Sequence, residues 1–224
     1  MPMGVPTSGF ARGRAVGLRR LSLLFSLTAF LLLQGCGSLP MRTDEPSFQR
    51  RYGDFKYCTV EVVRQSGHHT CGPACLSSVL TYWGVEISEA EIVEKYHVAA
   101  GRPYFLLALR DIALAEGLKA YVVSMDEEPH DAVAEQISKG RPLICAVRLP
   151  GWLHSLDGIP ILGTCCRSLA WALDRRKDHF VVVIGVKPER VLVMDPVWGF
   201  TTLSWPRFEE AWSQMKHACL LVSK

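Results

Sequence analysis

The chain has 224 residues, of which 49% are hydrophobic, and 25 Lys and Arg against 22 Asp and Glu give it a formal net charge of +3. Four of the arginines and none of the acids lie in residues 1–35, so residues 36–224 keep 21 basic and 22 acidic residues, a formal charge of −1. Because nucleic-acid binding needs clustered positive charge on the folded part, this balance excludes nucleic acid as an expected partner. The length predicts one domain with a sizeable core.

Residues 1–35 have the pattern of a signal peptide. Four arginines precede a 13-residue apolar run at residues 21–33, which is followed by Gln34, Gly35 and Cys36. A membrane span needs about 20 residues, so this run indicates a signal peptide, with a short anchor helix as the alternative. Leu33 and the small residue directly before Cys36 resemble a bacterial lipobox. That resemblance implies cleavage before Cys36 and a lipid on that cysteine.

The residue after Cys36 is Gly37, not aspartate. By resemblance to enterobacterial sorting, this favours the outer over the inner membrane, with the protein facing the periplasm. Residues 36–56 are polar and contain Pro40 and Pro46, which predicts a lipid-anchored tether that is partly disordered. The domain itself is expected at residues 57–224.

The stretch from residue 65 to 84 predicts a helix with a cysteine at its start. Residues 60–63 form a short strand or extended segment before it. Thr70 can cap the helix that begins at Cys71, Pro73 is tolerated in a first turn, and Gly84 can end the helix in the left-handed conformation. The positive end of the helix dipole stabilises a thiolate, which is the nucleophilic form of cysteine.

The remaining pattern predicts helices first and a sheet later. A capping box at residues 88–91 begins a second helix, and helical spacing of apolar residues over 103–116 predicts a third. Residues 149–178 interrupt the pattern and indicate an inserted lid or binding loop. The further elements are strands at 119–124, 142–148, 179–186, 191–194, 201–203 and 219–222 and helices at 129–139 and 206–215. This order predicts an α+β fold with an antiparallel sheet.

A cysteine nucleophile needs a base, a group that orients the base, and donors for the oxyanion. His179 opens one predicted strand and Asp195 ends the next, so neighbouring strands would put the two side by side. Gln65 lies in the loop before the helix, where its amide NH2 could reach an oxygen beside Cys71. Two alternatives stay open: Asp195 could merely start a turn before Pro196, and Asp178 could orient His179 instead.

The order Gln65, Cys71-Gly-Pro-Ala-Cys75, Asp178-His179-Phe180 and Asp195-Pro196 resembles the C39 family of papain-like cysteine peptidases. The resemblance implies a papain-like fold, with helices packed on an antiparallel sheet. It also implies that Cys71 is the nucleophile, His179 the general base, Asp195 its orienting group and Gln65 an oxyanion donor. The family is best known for cutting leader peptides after a Gly-Gly pair, usually as a domain fused to an ABC exporter. This sequence departs from that arrangement, with no long membrane domain and no Gly-x-x-x-x-Gly-Lys-Ser/Thr loop, so the cleavage site stays open, double-glycine or not. As a partner, the resemblance implies an export or secretion system encoded elsewhere.

The other cysteines have simpler interpretations. Cys75 is expected in the core, with a role as nucleophile only as the alternative, and cysteines in apolar strands are most often core residues. A zinc site of His68, His69, Cys71 and Cys75 is disfavoured, because a structural zinc site usually has two ligand pairs and no second pair exists. We therefore expect no metal and no cofactor. Disulfide pairing stays open for Cys58, Cys75, Cys145, Cys165, Cys166 and Cys219.

The sequence thus predicts a lipid-anchored cysteine peptidase whose partners are a peptide or protein substrate and the membrane. Two alternatives use the same site. One is a papain-like acyltransferase or transglutaminase-type enzyme, which would pass the acyl group to an amine. The other is a peptide-binding module that does not turn over.

Overall fold

The computed structural model describes Met1 and residues 46–97, 103–150 and 176–224, with only the backbone of residues 149–150 and 176–177. The predicted signal peptide, Cys36, Cys165 and Cys166 lie outside these residues. Within the described ranges, no helix has the length and apolarity that crossing a membrane would require.

The tether predicted at residues 36–56 is wrong in its last part, because residues 46–52 form a helix. Helix α1 spans Pro46–Tyr52, and its Phe48 and Tyr52 are buried in the core. The Phe48 ring packs edge-on against Tyr57 and Phe200, and the Tyr52 hydroxyl donates to the Phe200 carbonyl at 3.1 Å. Aromatic residues four apart share one helix face, which the surrounding polar residues obscured in the sequence. The folded part therefore begins no later than Pro46, rather than at residue 57.

Three helices follow, close to their predicted positions: α2 at Cys71–Tyr82, α3 at Glu89–Lys95 and α4 at Leu106–Ala115. The capping box of α3 is confirmed, because the Ser88 side chain accepts from the Glu91 backbone and Glu91 accepts from the Ser88 backbone. Gly84, with φ +84°, ends α2 in the left-handed conformation, as predicted.

Among the described residues, the sheet has six antiparallel strands in the order β1-β6-β2-β3-β4-β5. The strands are β1 Lys119–Ser124, β2 Leu143–Pro150, β3 Arg176–Lys187, β4 Arg190–Asp195, β5 Gly199–Ser204 and β6 Ala218–Ser223, with helices α5 Pro129–Ser138 and α6 Trp205–Ser213 between them. Strands β2 and β3 pair as far as Pro150 and Arg176. The insertion predicted at residues 149–178 therefore narrows to residues 151–175, which lie outside the described residues.

The core lies around the two central strands. Residues 143–147 of β2 and 181–184 of β3 are buried without interruption, which is typical of strands covered on both faces. Helices α2 and α5 pack against β3, and α6 packs against β2. This arrangement confirms the predicted α+β fold of helices on an antiparallel sheet, and it places the start of α2 beside the strands that carry His179 and Asp195.

Candidate active site

Cys71 is the first residue of α2, and it is 8% exposed. Thr70 stands at the predicted capping position, but its side chain makes no capping bond. Its Oγ1 instead accepts from the Gly67 N–H at 3.0 Å and donates to the Gly67 carbonyl at 3.2 Å. The prediction that Thr70 caps the helix is therefore wrong. The Thr70 hydroxyl therefore leaves the first N–H groups of α2 without a side-chain cap. N–H groups that are left uncapped at a helix start can donate hydrogen bonds to an oxyanion.

His179 and Asp195 lie side by side, as the predicted strand pairing required. His179 Nε2 is 3.2 Å from Asp195 Oδ1, and the two side chains are 13% and 6% exposed. The same oxygen of Asp195 accepts the backbone N–H groups of Val197 at 2.7 Å and Trp198 at 3.3 Å. Asp195 thus makes the turn before β5 and also contacts the imidazole, so the two interpretations of this residue do not exclude each other.

Asp178, the alternative orienting group, is bound elsewhere. It faces Arg148 across the β2–β3 pair, with Arg148 Nε 2.7 Å from Asp178 Oδ1, and its side chain is exposed. Successive residues of a strand point to opposite faces, which explains why Asp178 and His179 diverge.

The protonation of His179 is shifted by its surroundings. Burial lowers the pKa of an imidazole, but hydrogen bonds to Asp195 and Cys71 and the charges of both groups outweigh burial here and raise the pKa of His179 to about 9. At neutral pH the imidazole therefore carries a positive charge between the carboxylate and the sulfur. With Nε2 on Asp195, the ring leaves Nδ1 for Cys71.

Gln65 is attached to the same cluster through its backbone. Its N–H donates to the Pro196 carbonyl at 3.1 Å, directly after Asp195, and its side-chain Nε2 donates to the Gly67 carbonyl at 2.8 Å. Its Oε1 is buried without a partner. One N–H of the Gln65 side-chain amide is thus hydrogen-bonded within the loop. The other N–H could donate a hydrogen bond to an oxyanion.

The remaining described cysteines are free thiols in the interior. Cys75 is fully buried and donates to the Phe180 carbonyl at 3.4 Å; burial, with the charges of Cys71 and Asp195, raises its pKa well above the usual range. Burial likewise raises the pKa of Cys58 to about 11 and that of Cys145 well above its usual range. Cys145 faces Cys219 across strands β2 and β6. Of the residues described, no three His, Cys, Asp or Glu side chains form a group that could hold a metal ion.

Three contacts around Gln65 had no signal in the sequence. The Arg64 side chain donates to the Val197 carbonyl, and the backbone N–H and hydroxyl of Ser66 donate to Glu89 Oε1 at 3.1 Å and 2.8 Å. These hydrogen bonds join residues 23 or more positions apart, so no local sequence pattern predicts them. They connect the loop that carries Gln65 to the β4–β5 turn on one side and to the start of α3 on the other.

The fold is a cysteine peptidase-type fold. The sequence model described as "Peptidase_C39 like family" matches residues 57–220. The chain therefore belongs to the Peptidase_C39 like family.

Solved structures agree on the fold. The peptidase domain of Streptococcus ComA, a bi-functional ABC transporter involved in a quorum sensing pathway, is 20% identical, with a TM-score of 0.53 over 72% of this chain and 96% of that domain. A C39-like peptidase from Bacillus anthracis is 14% identical, with a TM-score of 0.52 over 74% and 94%. A double glycine motif protease from an AMS/PCAT transporter, in complex with its leader peptide, is 20% identical, with a TM-score of 0.50 over 74% and 92%. No curated protein matches the chain.

Proposed function

We propose that the protein is a cysteine peptidase in which Cys71, His179 and Asp195 form the catalytic triad. The observation that carries the proposal is the buried contact between His179 Nε2 and Asp195 Oδ1, with Cys71 hydrogen-bonded to the same ring. In the proposed resting state, the charged imidazole of His179 pairs with a Cys71 thiolate at the start of α2.

In this mechanism the Cys71 thiolate attacks the carbonyl carbon of a peptide bond, and the carbonyl oxygen becomes an oxyanion. The Cys71 backbone N–H and the second amide hydrogen of Gln65 donate to that oxygen. His179 then gives its proton to the leaving amine, which leaves a thioester on Cys71. A water molecule, deprotonated by His179, attacks the thioester and releases the carboxylic acid, which restores the ion pair.

The substrate class is a peptide or protein. A structural neighbour of this chain has been solved with a leader peptide, which supports a peptide substrate here. Val197 and Trp198 add a second reason, because they are 41% and 63% exposed and lie within three residues of Asp195. Exposed apolar side chains at this position are suited to contact the side chains of a bound peptide.

The protein is further proposed to be a lipoprotein of the bacterial cell envelope, anchored through Cys36, facing the periplasm from the outer membrane and serving an export or secretion system. The anchor and its location rest on the sequence of residues 1–37, and the export or secretion system rests on the resemblance to the C39 family. Cys36→Ser should leave an uncleaved or soluble precursor, as judged by detergent extraction and intact mass. A variant that still carries the mature acylated mass would refute the anchor.

The activity is tested by mass spectrometry of new peptide N-termini in cell extracts treated with the wild-type protein or with Cys71→Ala. Peptidase activity predicts termini that appear with the wild type alone, and these would identify the substrate and the cleavage site together. Repeating the reaction with an added amine separates hydrolysis from acyl transfer, because a transferase would yield the amide of that amine. Identical termini from both proteins would contradict the proposal.

A further inference from the structure

Glu89 is a buried carboxylate with a task outside the triad. It is the first residue of α3, it is 6% exposed, and its Oε1 accepts both the backbone N–H and the hydroxyl of Ser66. Burying a carboxylate is costly unless hydrogen bonds compensate for the lost water. Helix α3 does not need this burial for its own start, because the Ser88–Glu91 capping box already satisfies it.

The residue that Glu89 holds is next to the proposed oxyanion donor. Ser66 lies between Gln65 and Gly67, and the Gln65 side-chain amide is bonded to the Gly67 carbonyl at 2.8 Å. Fixing the Ser66 N–H fixes the peptide plane that joins it to Gln65. The Gln65 amide is thus oriented from its own backbone on one side and from Gly67 on the other.

The segment directly before Glu89 is hydrogen-bonded to α2, the helix that begins at Cys71. The buried Ser77 of α2 donates from Oγ to the Ile87 carbonyl at 2.7 Å, two residues before Glu89. On the opposite side of the loop, Gln65 N–H is bonded to Pro196 and Arg64 to Val197. The loop is therefore held between the turn of Asp195 and an α2–α3 connection that ends at Glu89.

From these contacts we propose that Glu89 is a positioning residue that sets the Gln65 amide relative to Cys71, an inference that rests on the proposed peptidase mechanism. Glu89 touches neither the substrate nor the reacting atoms. It acts through Ser66, by holding the loop at the distance from α2 at which the amide can reach a developing oxyanion.

The test compares two reactions of the same thiol. Acylation by p-nitrophenyl acetate passes through an oxyanion, forms a thioester on Cys71 and releases p-nitrophenolate. Alkylation by iodoacetamide displaces iodide at a saturated carbon and forms no oxyanion. A residue that positions only the oxyanion donor should affect the first reaction and spare the second, whereas damage to the proposed triad would slow both and general unfolding would expose the buried cysteines to alkylation.

Glu89→Ala should lower the acylation rate about 10- to 100-fold, somewhat less than losing an oxyanion donor outright, and leave the alkylation rate unchanged. Glu89→Gln should recover most of the acylation rate, since its amide oxygen can still accept from Ser66. Adding Ser66→Ala to Glu89→Ala should cost little more than Glu89→Ala alone, because the Ser66 hydroxyl has already lost Glu89 as its acceptor. The matched control is Glu91→Ala, which removes an acid from the same first turn and should acylate like the wild type.

Wild-type acylation in both Glu89 variants, or acylation and alkylation that fall in parallel, would overturn the inference and leave the proposed peptidase intact. If Glu89→Ala does not fold, which alkylation of the buried cysteines would reveal, Ser66→Ala decides: it should lower the acylation rate and spare Cys71 alkylation, and a Ser66→Ala protein that acylates like the wild type would overturn the inference. A wild-type protein that acylates no faster than Cys71→Ala would instead overturn the proposed function, and the role of Glu89 with it.

Discussion

At the scale of single residues, one oxygen atom connects the chemistry and the local structure. Asp195 Oδ1 contacts His179 Nε2 and also accepts the N–H groups of Val197 and Trp198. An asparagine at position 195 would still present an amide oxygen to all three donors. An alanine would present none. The two substitutions therefore separate the charge of the carboxylate from its hydrogen bonds.

Asp195→Asn should keep kcat/KM within about tenfold of the wild type, whereas Asp195→Ala should lose about 100-fold or more, the size of a general acid–base contribution. In the resting ion pair the imidazole is protonated on both nitrogens, so an amide oxygen can serve as acceptor without selecting a wrong tautomer. Equal losses in the two variants would mean that the negative charge itself is needed. Wild-type rates in both would mean that Asp195 makes only the turn.

The pH dependence of the same variant has a definite sign. Against the effect of burial, Asp195 and Cys71 raise the pKa of His179 to about 9, so we expect the proposed activity to be lost as the pH rises through that value and the imidazolium deprotonates. Removing the carboxylate charge lowers that pKa. The alkaline limit of kcat/KM should therefore lie near pH 9 in the wild type and at a lower pH in Asp195→Asn. An unmoved alkaline limit would contradict the contribution of Asp195.

Among the helices and strands, the burial of α1 determines where the folded domain begins. Phe48 is fully buried against Tyr57 and Phe200, whereas Arg50 in the same helix is exposed. Phe48→Ala should reduce the free energy of unfolding by about 3–5 kcal/mol, and Arg50→Ala should change it by less than about 0.5 kcal/mol. Urea unfolding followed by fluorescence measures both. A Phe48→Ala protein as stable as Arg50→Ala would restore residues 46–56 to the tether.

The turn between β4 and β5 carries the second prediction at this scale. Trp198 is 63% exposed beside the proposed triad, and Tyr121 is 60% exposed on β1, at the opposite edge of the sheet. With a peptide that spans the identified cleavage site, Trp198→Ala should raise KM about tenfold, the equivalent of one aromatic contact. Tyr121→Ala is the control with equal exposure. Equal KM values in the two variants would mean that the substrate does not contact Trp198.

At the scale of the whole molecule, the sequence predicted what local patterns encode. The start and end of α2, the capping box of α3 and the adjacency of His179 and Asp195 follow from helix signals and strand alternation. Contacts between distant segments could not be predicted in this way. The burial of α1 and the hydrogen bonds from Ser66 to Glu89 depend on which surfaces meet after folding.

The domain boundaries, too, were predicted only as far as local composition determines them. The polar composition of residues 36–56 predicted a tether, yet two aromatic residues on one face bury α1 in the core. Strands β2 and β3 extend into the predicted insertion because their backbone pairing continues beyond the apolar residues that revealed them. Hydrogen bonding along a strand pair does not require apolar side chains, so composition alone underestimates strand length.

The reactive ion pair proposed for Cys71 and His179 is tested most directly by the rate of Cys71 alkylation by iodoacetamide against pH, with the labelled site identified by mass spectrometry. We expect Cys71 to be labelled first and to reach its full rate at mildly acidic pH, Cys75 to react slowly, and His179→Ala to lose the reactivity at acidic pH. Labelling that begins at Cys75, or a Cys71 rate that rises only near pH 8.5 as for a free thiol and is unchanged in His179→Ala, would contradict it.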